Sequence, residues 1–284
     1  MRNSKAVLSE IISSIQLNES MEEKEAVAMI LIGHFFGLSR SAILTDTPVD
    51  YTQDQERQMR SAISRVSSGE PVQYVIGTAH FLGNDFLVTP EVLIPRPETE
   101  ELVIEIVRYI RTAPVSHCRL LDIGTGTGCI PISVALQCPG EYFATDVSAE
   151  ALSVARENSA RLKADVTFLQ HDILQAELPI IDLDVLVSNP PYIAQSEIGE
   201  MKDNVVKHEP HLALFVNDDD PLIFYNRISR QGRQILKRGG LIIFEINERF
   251  GGSVASVLKN DGYNNVTIVR DLSGKERIVK AIQP

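Results

Sequence analysis

Apolar positions change their period along this chain. Over residues 4–17, Val7, Leu8, Ile11, Ile12 and Ile15 recur at three and four residues, the spacing of one helix face. A second helix is predicted from Ser20, with Glu22 and Glu23 in its first turn and a face of Val27, Ile30, Leu31 and Phe35. Gly37 is its stop. A third runs from about Thr52 to Ser67 with a thin apolar face and ends at Ser68-Gly69. His34 stands among apolar residues with no second ligand type at metal spacing, so it reads as a packed core or rim residue. The period then shortens. Phe81-Leu82 and Phe86-Leu87-Val88 flank Gly83-Asn84, a hairpin turn pair. Pro95 and Pro97 stiffen the stretch Val92–Glu100 and hold Arg96 at a domain junction, where it can shape a site. Glu98 to Glu101 open a helix reaching about Thr112.

Beyond that point short strands and helices alternate. Arg119–Ile123, Tyr142–Asp146, Val166–Asp172 and the run Leu183-Asp184-Val185-Leu186-Val187-Ser188, apolar and β-branched, read as strands. Helices are expected at Cys129–Gln137 and from Ser148, with Glu150 close by. Gly240–Glu245 is a buried strand, Ser253–Lys259 a helix, and Asn265–Val269 with Arg277–Ile282 a terminal strand pair. Alternation of this kind predicts an α/β fold with a mostly parallel sheet behind a small helical bundle. The segment from Ala194 to Asn217 is long and mixed, a candidate lid; Glu209 within it is either a structural cap or a site acid.

Composition narrows the classes. The chain has 284 residues, enough for one large domain or two smaller ones, and 44% hydrophobic with 23% charged residues excludes a disordered protein. A formal net charge of -11 argues against a broad nucleic-acid-binding face. Cys118, Cys129 and Cys138 are odd in number and lack paired metal-ligand spacing, which predicts reduced structural thiols in a cytosolic protein. The start, Met1-Arg2-Asn3-Ser4-Lys5, runs into an amphipathic stretch, so no signal peptide is expected. No apolar run is long enough for a membrane span.

The candidate chemistry lies at the strand ends, where open α/β sheets place their ligands. Gly124-Thr125-Gly126-Thr127-Gly128 is a tight glycine loop between strand and helix, spaced GxGxG and lacking the Lys-Ser or Lys-Thr of a P-loop. Asp146 ends the second strand, where an acid can accept both ribose hydroxyls of an adenosine. Asp172 ends the third and can accept from an adenine amine, with Ile173 packing on the ring. Asn189-Pro190-Pro191-Tyr192 ends the fourth. The Asn189 side-chain oxygen and the Pro190 carbonyl are neighbouring acceptors able to grip both hydrogens of a planar NH2 group, and Tyr192 can lie against its flat face.

These features in this order resemble the class I S-adenosylmethionine-dependent methyltransferases. More narrowly the chain is similar to the HemK/PrmC family, the protein-glutamine methyltransferases that act on peptide chain release factors. The resemblance runs from about Gly69 to the end. It is carried by Glu70-Pro71-Val72-Gln73-Tyr74-Val75-Ile76-Gly77, Val92–Glu100, Leu121–Ile130, Asn189–Ile193, Glu209-Pro210 with Ala213-Leu214, and Asp271-Leu272-Ser273-Gly274 with Arg277. It implies a Rossmann-like domain with a seven-stranded sheet over residues 96–284, a hairpin connector over 76–95, and a helical substrate-docking domain over 1–75. A stabilising cap is the plainer role for that last domain. The resemblance implies S-adenosyl-L-methionine as cofactor, leaving as S-adenosyl-L-homocysteine, on Gly124, Thr125, Gly126, Thr127, Gly128, Asp146, Asp172, Ile173 and Asn189. It implies a substrate glutamine on Asn189, Pro190, Pro191 and Tyr192, with Asn189, Pro190 and Tyr192 catalytic and no metal. It further implies release factors as partners, no direct nucleic-acid or membrane binding, and a cytoplasmic monomer. One departure is Asn247 in Glu245-Ile246-Asn247-Glu248-Arg249, where the family often has Gly. The alternatives are a methyltransferase acting on exocyclic amines of nucleic-acid bases, which use the same tetrad, and a catalytically silent module that docks a translation factor.

Overall fold

The computed structural model describes residues 2–17, 19–113 and 117–284. Met1, from which the leaderless reading starts, lies outside them. The chain divides into two units, Met1–Thr78 with Lys202–His208, and Ala79–Met201 with Glu209–Pro284.

The first unit is helical: β1 (Arg2–Asn3), α1 (Ser4–Ser14), α2 (Met21–Phe36), α3 (Arg40–Leu44), β2 (Pro48–Val49), α4 (Gln53–Ser67) and α5 (Val72–Ile76). Its helices begin where side chains satisfy their free N–H groups. Ser20 accepts from Glu23 N, and Thr52 and Gln55 form a reciprocal capping box. Gly37 ends α2 in the left-handed region at φ 67°. Val7, Leu8, Ile11, Leu31, Ile32, Ile43, Met59 and Val66 share one core. Two expectations need correction. The inward face of α2 is Ala28, Leu31 and Ile32, while Ile30 is exposed, because that helix is apolar nearly all round and its periodicity does not select a face. And α1 stops at Ser14; Ile15 is extended yet still buried. His34 is exposed and meets the Phe35 ring edge-on at 4.8 Å. Lys202 joins this unit through Glu23 at 2.7 Å and Glu19 at 3.3 Å.

The second unit opens with the hairpin β3 (Thr78–Phe81) and β4 (Asn84–Leu87) and then α6 (Pro97–Thr112). The hairpin turn is Leu82-Gly83, one residue earlier than expected. Both have positive φ, 45° and 80°. The Leu82 amide donates to Glu100 Oε1 at 2.9 Å, a tertiary anchor that local sequence does not encode. Then follow β5 (Cys118–Ile123), α7 (Cys129–Ala135), β6 (Gly140–Asp146), α8 (Ala149–Leu162), β7 (Val166–Gln170) and β8 (Leu183–Ser188). The mixed segment resolves into β9 (Ile193–Ala194), a 3-10 turn Gln195–Glu200, α9 (Asp203–His208), α10 (His211–Leu214) and β10 (Phe215–Val216), with β9 and β10 paired in parallel. The chain closes with α11 (Ile223–Ile235), β11 (Leu236–Glu245), α12 (Gly251–Asn260), β12 (Asn264–Arg270) and β13 (Glu276–Ile282). No helix among the described residues is long and apolar enough to cross a membrane.

Seven strands of the described residues form one sheet in the order β12-β13-β11-β8-β5-β6-β7, parallel except at β13, which is antiparallel to both β11 and β12. The order reverses between β5 and β8, so the crevice for a ligand opens at their carboxyl ends. β8 is buried throughout. Val185 and Val187 face one core with Leu120 and Ile243; Leu186 faces the other with Leu121 and Phe244. Two covered faces explain its apolar run, broken at Asp184, which pairs with Lys237 at 2.9 Å. Asn158 of α8, wholly buried, fixes the crevice floor. Its Nδ2 donates to Leu87 O and Thr127 O, both at 3.0 Å, and its Oδ1 accepts from Leu87 N at 2.6 Å.

Asn158→Ala strands three buried backbone groups, so it should cost at least about 2 kcal/mol of stability. Urea unfolding with an unchanged midpoint would contradict that role.

Candidate active site

The site is built by strands that stop in one row. Ile123 of β5 pairs with Ser188 of β8, and Ser188 pairs with Phe244 of β11. The next residue on each strand is Gly124, Asn189 and Glu245. The glycine loop, the Asn-Pro-Pro-Tyr tetrad and a buried acid therefore start side by side. Ser188 reinforces the row by donating from Oγ to Ile123 O at 2.7 Å.

A cavity of about 560 Å³ lies over these ends, within the range of ligand pockets. Gly124, Thr125, Gly126, Thr127, Asp146, Asp172, Ile173, Asn189, Pro190 and Pro191 line it. Gly124 and Gly126 have positive φ, 74° and 53°, with open space where a Cβ would stand, so a ligand can approach the backbone there. Gly128 plays a different part. It caps α7 in the left-handed region, and a Cβ would stand 2.9 Å from Ile132 Cδ1, so its need for glycine is packing. Tyr192 does not line the cavity either; its ring packs on the core cluster containing Phe244 and Tyr225.

Asp146 is pre-set as an acceptor. Its Oδ2 accepts from Gly126 N at 2.9 Å and its Oδ1 from Ser148 N at 3.0 Å. Burial raises its pKa above the ordinary value, against the pull of those N–H groups. Asp172 Oδ1 accepts from Leu174 N at 2.9 Å, and Ile173 is buried beside it. Such a set suits a nucleoside: paired hydroxyls on a carboxylate, a flat base against an aliphatic side chain, and a tail over a glycine loop.

Arg96 also lines the cavity, as do Pro210 to Ala213. Arg96 Nη2 pairs with Glu209 Oε1 at 2.6 Å, and Glu209 is 4% exposed with its second oxygen unpartnered among the described residues. The Pro-Arg-Pro stretch and the start of α10 are thus pinned together as one wall. Asn247 lies outside the left-handed region, and its Oδ1 accepts from Arg249 N at 3.0 Å, so the expected need for glycine is absent here.

Two acids escaped the sequence reading. Asp122 is fully buried at the end of β5, and neither its carboxylate nor the Thr125 hydroxyl completes a hydrogen bond, although Thr125 is near enough to favour the charged form. Burial pushes its pKa from 3.8 to about 7, and nearby Asp146 adds to the rise. Asp122 stands at a strand end as Asp146 does, so the same signal was available; Asp172, expected to end the third strand, lies two residues past β7. Glu245 is 2% exposed and accepts from Thr99 Oγ1 at 2.7 Å, with the Asn189 side chain near enough to favour its charged form. Nothing local marks it, because its partners lie far away in sequence.

A family model described as methyltransferase small domain matches residues 106–212, and one described as PrmC N-terminal domain matches residues 11–77. The release factor glutamine methyltransferase of Bacteroides thetaiotaomicron is 42% identical over 262 residues, covering 92% of this chain and 93% of its own. That of Bacillus subtilis is 34% identical over 278 residues, 95% of each chain. Among solved structures, a methyltransferase from Pyrococcus furiosus has a TM-score of 0.51 at 15% identity, covering 82% of this chain and 99% of that one, a likeness of fold.

A buried unpaired carboxylate destabilises the ligand-free chain once it is charged. With its folded pKa raised, Asp122 contributes most below about pH 4, and that contribution is lost as pH rises through about 7. Asp122→Asn should therefore raise the ligand-free Tm by a few degrees at pH 8, and the gain should be much smaller at pH 5 and vanish below about pH 4. An equal gain at both pH values would show that the charge is not the cause.

Proposed function

The chain belongs to the release factor glutamine methyltransferase family, and we propose that it transfers a methyl group from S-adenosyl-L-methionine to the side-chain amide nitrogen of the glutamine in the Gly-Gly-Gln loop of peptide chain release factors. The observation that carries this reading is the placement of Asn189 and Pro190 on the cavity wall, one strand away from the glycine loop.

When bound, the cofactor supplies an activated methyl group on its sulfonium. Gly124 to Thr127 would offer backbone to its tail, Asp146 would accept from its ribose hydroxyls, and Asp172 with Ile173 would hold the adenine. Asp122, beneath the loop, supplies a negative charge with no partner of its own among the described residues.

An amide nitrogen is a weak nucleophile because its lone pair is delocalised. Asn189 Oδ1 and the Pro190 carbonyl accept its two N–H groups, which aims the lone pair and stabilises the positive charge that develops as the new bond forms. The methylated nitrogen is then acidic enough to release a proton to water or a nearby carbonyl. No strong base is required, and the donors and acceptors stay fixed through the step.

The helical unit has its own core and its own family match, which supports a second role. We propose that it docks the protein substrate in the cytoplasm, where translation factors work. Deleting residues 1–78 should leave cofactor affinity while removing most turnover of intact release factor. Undiminished turnover would reduce that unit to a cap.

The reaction is tested by labelled methyl transfer and fragment mass spectrometry of the loop peptide. Label should appear on the glutamine amide nitrogen, and Gln→Asn at the loop tip should be nearly inert, since the amide stops about one methylene short. Asn189→Ala should lower the rate by about 10²-fold with a much smaller loss of cofactor affinity. Label on a nucleic-acid base and none on the peptide would overturn the reading.

A further inference from the structure

We propose that Glu245 is a positioning residue for the transfer: its buried carboxylate holds the Asn189 amide with Nδ2 toward the protein and Oδ1 toward the substrate nitrogen. The inference rests on the assignment of Asn189 as the residue that grips the substrate amide.

A primary amide is nearly symmetric in shape, so an unguided Asn side chain can exchange its oxygen and NH2 by turning over. Only one orientation serves the reaction. With Oδ1 outward, Asn189 accepts from the substrate; with Nδ2 outward it sets donor against donor. An ionised carboxylate removes that ambiguity, because it only accepts. Glu245 stands in the right place by register: Phe244 pairs with Ser188, so Glu245 and Asn189 leave neighbouring strand ends together. The Asn189 side chain lies near enough to the Glu245 carboxylate to favour its charged form. Thr99 Oγ1 donates to Glu245 Oε2 at 2.7 Å and fixes the carboxylate plane from α6. Tyr225 Oη donates to the Glu245 backbone carbonyl at 3.1 Å and fixes the main chain from α11.

A purely structural role would not need a charge. Glu245 is 2% exposed, and burying a carboxylate that has only neutral donors about it costs more than burying Gln in the same space. What Gln lacks is discrimination, since it can accept from Nδ2 or donate to Oδ1 equally well.

The charge also makes the device sensitive to pH. The groups that face Glu245 are Glu98 and Thr99 of α6, Arg277 of β13, Tyr192 of the tetrad, Tyr225 of α11 and Cys129 of α7. Arg277, the cation among them, is bonded to Asp271 at 3.0 Å. Burial therefore dominates and moves the Glu245 pKa from 4.5 to about 7. Once protonated, Glu245 gains an O–H that can donate to Oδ1 and turn the amide over. Methyl transfer should then decline as pH falls through about 7, with the loss following a single protonation.

The test is single-turnover methylation of release factor by the full chain between pH 5.5 and 9, with cofactor affinity measured alongside by calorimetry. Glu245→Gln should lower the rate at pH 8 by about tenfold or more, keep KM and cofactor affinity within about twofold, and flatten the acid limb. Thr99→Val removes a donor to the charged form, so it should move the acid limb to higher pH and keep the alkaline plateau. That shift is one that a merely structural loss would not produce, and it decides the matter if Glu245→Gln fails to fold. Wild-type rate and pH profile in Glu245→Gln, or an unmoved acid limb in Thr99→Val, with Asn189→Ala inactive, would overturn the positioning role and leave the amide grip standing. Full activity in Asn189→Ala would bring down the grip itself.

Discussion

Proline cannot donate a ladder hydrogen bond, and at Pro190 that limit sets the position of everything the site uses. β8 must stop at Ser188, in the row already occupied by Ile123 and Phe244. Its neighbours on either side supply the glycine loop and the Glu245 carboxylate. Had the strand run one residue further, Asn189 would project from the sheet with a ladder partner and could not reach over the crevice. The sheet is therefore more than a scaffold. Its register decides which acceptors meet, and the buried aliphatic faces of β8 keep that register fixed by opposing any slip that would turn Leu186 toward the wrong core.

Around this row the molecule retains groups that do not favour stability. Asp122 and Glu245 are both buried carboxylates without a cation of their own, and one oxygen of Glu209 is unpartnered among the described residues. Aliphatic residues of similar volume would serve the core better. Their concentration at the strand ends, and the single-residue precision with which Asn158, Ser188 and Thr99 hold the backbone and side chains there, fit a site whose polar groups are set before the substrate arrives.

Much of this was legible in the residues. The glycine loop, the strand-end acids Asp146 and Asp172 and the tetrad announce themselves because each is a local break in an apolar run. β8 was readable to its ends for the same reason: four apolar residues, two of them β-branched, ahead of two prolines leave one interpretation. What stayed hidden is tertiary. α11 went unseen because its buried face includes Ser229, Gln231 and Gly232, so its apolar stripe is thin. The turn at Leu82-Gly83 is set by Glu100, eighteen residues on. Glu245 looks like the end of an ordinary strand until β11 is laid beside β8, and no single sequence states that pairing.

The central claim is that the substrate amide is held by Asn189 Oδ1 and the Pro190 carbonyl beside the glycine loop. A crystal structure of the chain with S-adenosyl-L-homocysteine and a Gly-Gly-Gln peptide tests it most directly. The account predicts the glutamine amide nitrogen within about 3 Å of both oxygens, with Asn189 Nδ2 facing Glu245. A glutamine amide bound elsewhere in the cavity, or one that meets Asn189 Nδ2 instead of Oδ1, would contradict it.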